Sequence, residues 1–142
     1  MSGAYADTSI IVAALTLEPR TDDAQRWLAR PANQPITISD WTITEFAAAL
    51  SIKRRTGEID DDHQTRAMAA FDGLVNDSLH VVPVSRGDFY RAGSIAEQHA
   101  SGLRAGDALH VAIAGHRALT LVSLDKVMVK AAVRLGVEAM LL

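Results

Sequence analysis

Four carboxylates, Asp7, Glu45, Asp107 and Asp125, stand where acids can do chemistry together rather than singly. Asp7 follows a short apolar stretch, and Asp125 closes the run Leu121-Val122-Ser123-Leu124-Asp125. Asp107 opens a strongly apolar segment of helical period, and Glu45 lies a turn into another. Like charges a few ångströms apart raise one another's pKa, so four such groups cannot all stay ionised in one dry pocket unless a cation sits among them. Oxygen donors without cysteines or paired histidines suit a hard divalent ion. Mg²⁺, or Mn²⁺ in its place, keeps several waters and takes only one or two carboxylates directly. Each acid also has a local explanation. Asp7 and Asp125 read as N-caps, Asp107 as a first-turn acid that complements the helix dipole, and Glu45 as the N3 member of a capping box opened by Thr42. Caps account for these acids one at a time, but not for their gathering at one end of a sheet.

The elements that must position them alternate. Short apolar runs at residues 4–6, 36–38, 79–82, 119–122 and 139–141 read as five strands. Helical patterns lie between them at 9–17, 22–30, from Thr42 to about Gly57, 60–76, 86–100, 107–116 and 126–135. This is the pattern of βα units, hence an α/β fold with a parallel sheet covered on both faces, and ligands in such folds bind beyond the carboxyl ends of the strands. No repeat or linker divides the chain, so residues 1–142 are expected to form a single domain. A domain of this length buries roughly 70% of its unfolded surface. It needs no staples, and the absence of cysteine excludes disulfides, thiolate metal sites and cysteine nucleophiles.

The apolar run at 10–17 is far short of the ~20 residues that span a bilayer, and no basic segment precedes it, so a cytoplasmic protein with no membrane association is expected. Fourteen Lys+Arg against 17 Asp+Glu give a net charge of −3. That balance argues against gripping nucleic acid by bulk charge, and a protein of this kind acting on nucleic acid needs something to bridge the phosphates.

The order Asp7-Thr8-Ser9, Thr44-Glu45, Gly106-Asp107-Ala108-Leu109-His110 and Ser123-Leu124-Asp125, spread over almost the whole chain, resembles the PIN-domain family, and within it the VapC-type toxin ribonucleases of bacterial toxin–antitoxin pairs. The family more often has a more hydrophobic first strand than Ala4-Tyr5-Ala6, and threonine where Ser123 stands. The resemblance implies a three-layer α/β/α sandwich with a five-stranded parallel sheet. It also implies Mg²⁺-dependent endoribonuclease activity on RNA and inhibition by a cognate antitoxin, in a homodimer or a toxin–antitoxin hetero-oligomer. Carried over residue by residue, it makes Asp7 and Asp107 the principal metal ligands, with Glu45 and Asp125 completing the set directly or through water. Hydrolysis by water then leaves a 5′-phosphate and a 3′-hydroxyl.

Around these acids, Ser9 and Ser123 are candidates for orienting a ligating carboxylate, with helix capping an equal reading for Ser9 and the favoured one for Thr8. His110, one turn after Asp107, reads as a hydrogen-bonded core residue outside the catalytic set. Lys53-Arg54-Arg55 ends a helix, where cations complement the dipole, though phosphate binding is a competing use. Lys126, directly after Asp125, is a candidate contact for the RNA backbone. Ala67, Phe71 and Leu74, with Phe46 and Leu50, read as core, and as a partner groove in the alternative. Two rivals remain to be separated. A receiver-type signalling domain expects paired acids after the first strand and a phosphoacceptor after the third, where Val82-Pro83-Val84-Ser85 has none. A PIN-like module that binds RNA or protein without catalysis would have no need of all four acids.

Overall fold

The computed structural model describes residues 3–142. Five strands, β1 (Ala4–Ala6), β2 (Ile36–Ser39), β3 (His80–Val82), β4 (Thr120–Ser123) and β5 (Ala139–Leu141), form one parallel sheet in the order β3-β2-β1-β4-β5. Seven helices flank it: α1 (Thr8–Leu15), α2 (Thr21–Ala29), α3 (Asp40–Arg55), α4 (Asp61–Asp77), α5 (Arg86–Ala96), α6 (Ala105–His116) and α7 (Lys126–Arg134). Strand alternation divides the core. Ala6, Ile38 and Val122 pack with α1 to α4 on one face, and Tyr5 and Leu121 with α6 and α7 on the other, the three-layer arrangement expected. No helix among the described residues is long and apolar enough to cross a membrane.

β1 is central although alanine is a poor strand former. Both of its edges are paired, so burial between β2 and β4 decides its conformation, not propensity. α6 is buried at every position from Ala108 to Ala114, which explains its apolar composition.

Several boundaries differ from the sequence expectation. α1 starts at Thr8, so Thr8 lies inside the helix and does not cap it. α3 starts at Asp40, with Ser39 as N-cap and the Ser39 amide donating to Thr42 Oγ1 at 3.4 Å. The capping box is therefore Ser39–Thr42, one turn before Thr42–Glu45, and Glu45 is released from any capping role. α5 stops at Ala96, and a 3-10 turn at His99–Ser101 follows, closed by Gly102 in the left-handed region (φ 69°), where glycine carries no Cβ penalty. α6 begins at Ala105, two residues before Asp107.

Of the expected core stripe, Ala67 and Phe71 are buried and Phe71 stacks on Phe46 with ring centroids 4.3 Å apart. Leu74 is half-buried, at the rim of a groove on the α2–α4 side.

Candidate active site

The carboxyl ends of β1 and β4 are adjacent, since Ala6 pairs with Val122 and the Asp7 amide continues the ladder to Val122 O at 3.1 Å. Asp7 precedes α1 with extended backbone, yet its side chain caps nothing. Oδ1 accepts from Ser9 Oγ at 2.5 Å and Oδ2 from Ser123 Oγ at 2.7 Å. The direction of both hydroxyls is fixed because each also accepts a backbone N–H, Ser9 from Leu124 at 3.1 Å and Ser123 from Asp125 at 2.9 Å. Ser9 and Ser123 therefore orient Asp7, which stands at the N-cap position of α1 without a side-chain cap bond, while Ser9 lies inside the helix and does not cap it. Asp7 is 2% exposed. Burial pushes its carboxyl above the usual range, with His110 and the two hydroxyls opposing.

Asp125 does cap. Its Oδ1 accepts from Val127 N at 2.9 Å and Met128 N at 3.2 Å, so Oδ2 takes no part in the cap. Asp107, in the first turn of α6, accepts from Arg104 N at 3.4 Å. Its carboxyl is pushed up by burial first, and by the charges of Asp125 and Glu45, against the Arg104 N–H and His110. Asp125 and Glu45 thus stand within electrostatic reach of Asp107.

Glu45, in the second turn of α3, completes the approach from the other side. Its Oε1 accepts from Thr8 Oγ1 at 2.6 Å and makes a very short contact with His110 Nε2. Burial works to raise this carboxyl, but the imidazole and the threonine outweigh it and hold Glu45 below the usual range. Its Oε2 lies against Gly106, where an added Cβ would come within 2.5 Å. The Trp41 indole N–H, buried and without a well-aligned hydrogen bond, lies on the same side and also helps to hold the Glu45 carboxyl down.

Thr8 and His110 are thus site neighbours that sequence reasoning set aside. The helical spacing of Asp107 and His110 was a usable signal for the histidine. Nothing local marks Thr8, whose partner is 37 residues away.

Thr8, Ser9, Glu45 and Asp125 line one end of a cleft of about 510 Å³ that continues over apolar Val12 and Ile52. Asp7 and Asp107 lie beside this cleft and do not line it. Among the described residues no three His, Asp or Glu side chains stand close enough to form a ready cation cluster. The donor set nonetheless fits a hard divalent ion. All four groups are carboxylates, two of them are raised by burial with no basic side chain hydrogen-bonded to them, and each retains accepting capacity beyond the bonds it makes.

The basic run is largely spoken for. Lys53 pairs with Glu18 at 2.8 Å and Glu58 at 3.0 Å, and Arg54 with Asp61 at 2.6 Å, which favours their structural reading. Arg55 and Lys126 are exposed, Lys126 beside Asp125.

Residues 4–134 match the sequence model of the PIN domain. No curated protein matches the chain. Among solved structures, the chain is similar in fold to Mycobacterium tuberculosis VapC20, a sarcin-ricin loop cleaving toxin, at 21% identity, covering 91% of this chain and 95% of that one with a TM-score of 0.71. It is similar to VapBC2 of Rickettsia felis bound to a promoter DNA fragment (19% identity, 96% of each chain, TM-score 0.70). FitAcB of Neisseria gonorrhoeae is a third neighbour (17% identity, 96% of each chain, TM-score 0.67).

Proposed function

The chain belongs to the PIN-domain family, and we propose that it is a divalent-cation-dependent endoribonuclease of the VapC toxin type, hydrolysing RNA phosphodiester bonds. The observation that carries this reading is the approach of Asp7, Glu45, Asp107 and Asp125 from β1, α3, α6 and the end of β4 to the carboxyl end of the sheet.

Asp7 and Asp107 are the principal ligands, and Glu45 and Asp125 complete the set directly or through water. A bound Mg²⁺ or Mn²⁺ supplies a water acidified toward neutral pH and positive charge against the phosphodiester oxygens. Ser9 and Ser123 fix the Asp7 carboxylate by holding one oxygen each, and each oxygen retains a lone pair free to accept. Asp125 uses one oxygen to cap α7, so its position is set by the helix start and not by a flexible rotamer. The cleft beside them gives RNA an approach. Hydrolysis by water leaves a 5′-phosphate and a 3′-hydroxyl.

The partner follows from the same charges. An acidic pocket without basic side chains on Asp7 or Asp107 is a target for an Arg or Lys from an inhibitor, which would form charge-assisted hydrogen bonds with the carboxylates. A cognate antitoxin acting in the cytoplasm is the inhibitor proposed, within a homodimer or a toxin–antitoxin hetero-oligomer. Likeness in fold to VapC20, VapBC2 and FitAcB supports this reading.

The test is cleavage of total bacterial RNA by the purified protein with Mg²⁺, Mn²⁺ or EDTA, beside Asp7→Asn and Asp107→Asn. Discrete fragments with 5′-phosphate ends that vanish with EDTA and in both variants are expected. Cleavage indifferent to both variants, or 2′,3′-cyclic phosphate ends, would sink the mechanism.

A further inference from the structure

Glu45 differs from the other acids in what holds it. Behind its carboxylate runs a chain of buried polar side chains drawn from β1, β2 and α6. Tyr5, on β1, donates its hydroxyl to Ser39 Oγ, at the end of β2, at 2.9 Å, and the same oxygen stands 2.8 Å from His110 Nδ1. The other ring nitrogen, Nε2, meets Glu45 Oε1, with Thr8 Oγ1 3.2 Å away. Tyr5 and Ser39 are 0% exposed and His110 is 1% exposed.

We propose that Tyr5 and His110 form a positioning relay for Glu45, which commits Oε1 to the protein and presents only Oε2 to the acidic site, and so sets the affinity of that site for a divalent cation. The inference rests on the nuclease reading above.

Two observations carry it. With both ring nitrogens engaged, His110 cannot turn about its χ angles without breaking a buried hydrogen bond, and an unmade buried bond is costly. Oε1 receives two contacts, from His110 and Thr8, while Oε2 receives none of them and occupies the space that Gly106 leaves by lacking a Cβ. A histidine serving only to fill the core would need a partner, but not one that is itself a member of the site.

The experiment is Mn²⁺ titration by calorimetry on the folded protein, with wild type, Tyr5→Phe, His110→Gln and each of these combined with Glu45→Gln. Partners that orient a metal ligand typically contribute about 10–100-fold in affinity. His110→Gln is expected to weaken Mn²⁺ binding within that range, and Tyr5→Phe, which keeps the ring and removes only the hydroxyl, by roughly 10-fold, at the low end of it. Both losses should vanish in the Glu45→Gln background, because residues acting through a shared partner are not additive. Wild-type affinity in both single variants would overturn the relay, as would equal losses with and without Glu45. Tyr5→Phe keeps the test decisive if His110→Gln fails to fold. A wild-type protein that binds no Mn²⁺ would instead overturn the nuclease reading, and the relay's role with it.

Discussion

Asp7, at the end of β1, and Asp88, in the first turn of α5, are shielded from water alike, 2% and 0% exposed, and their carboxyls move in opposite directions. Burial drives both upward. At Asp88 it is overcome by the Ser85 N–H at 2.9 Å, His116 Nδ1 at 2.8 Å and the Arg117 guanidinium at 3.2 Å, which bring the carboxyl to about 2. Arg91 adds a fourth donor at 3.5 Å, and Arg117 also donates to Pro83 O at 2.8 Å. Asp7 has two serine hydroxyls and no cation in contact, and burial prevails. A carboxylate that ties elements together is given positive charge by its own chain. One left with neutral donors in a dry setting has its charge uncompensated, which is the condition under which an external cation binds with most effect.

The largest expected effect separates the two outright. Asp7→Asn should reduce RNA cleavage by at least ~10²-fold, the scale of removing one preorganised electrostatic contact to a transition state. It should leave the thermal midpoint unchanged or raise it, because the amide carries no charge to desolvate. Cleavage assays and melting curves on one preparation check both.

Asp88→Asn is its mirror. Leaving Arg117 and His116 without their anion should cost about 3–5 kcal/mol of stability, read by urea unfolding, while activity per folded molecule stays at the wild-type level. A comparable loss of activity from Asp88→Asn would erase the distinction.

The same pair predicts a pH dependence. Because the folded value of Asp88, about 2, lies below its ordinary 3.8, its contribution is fully present above about pH 4 and is lost as the pH falls toward 2. Acid unfolding of wild type should therefore show a decline across that window that Asp88→Asn lacks.

Much of this arrangement was legible in the sequence, and the rest was not for identifiable reasons. The first and last strands fall at the expected residues, since turn chemistry brackets them. The start of α3 was misplaced because Ser39–Thr42 and Thr42–Glu45 carry the same spacing of capping residues. What selects the first is that β2 runs on to Ser39, a register set by its pairing with β3. Asp7, Glu45, Asp107 and Asp125 could be proposed from their places at strand ends and helix starts. Their surroundings could not. The partners of Glu45 lie 37 and 65 residues away, and those of Asp88 28 and 29, distances over which no local pattern carries information. Asp88 itself carried a visible signal, Ser85 three residues before it, that marks a cap and says nothing of the cations waiting at the end of α6.

Two smaller effects refine the contrast. Ser123→Ala removes a donor to Asp7 and the acceptor for the Asp125 amide together, and should lower Mn²⁺ affinity by about 10-fold. Lys126→Ala is expected to change little except the salt dependence of RNA binding, reducing the slope of log K against log salt by less than ~1. An unchanged slope would remove Lys126 from the RNA path.

The hydrogen bond from Ser123 to Asp7 spans 116 residues of sequence. A ribosome releases the amino-terminal end first, so β1, with its aspartate, emerges long before the strand that must lie beside it has been translated. Until β4 emerges, Asp7 lacks one of its two orienting hydroxyls, Asp107 and Asp125 have no fixed place, and β1 has an open edge. On the nuclease reading proposed above, a site completed only by β4 stays unassembled for most of the time the chain is being translated.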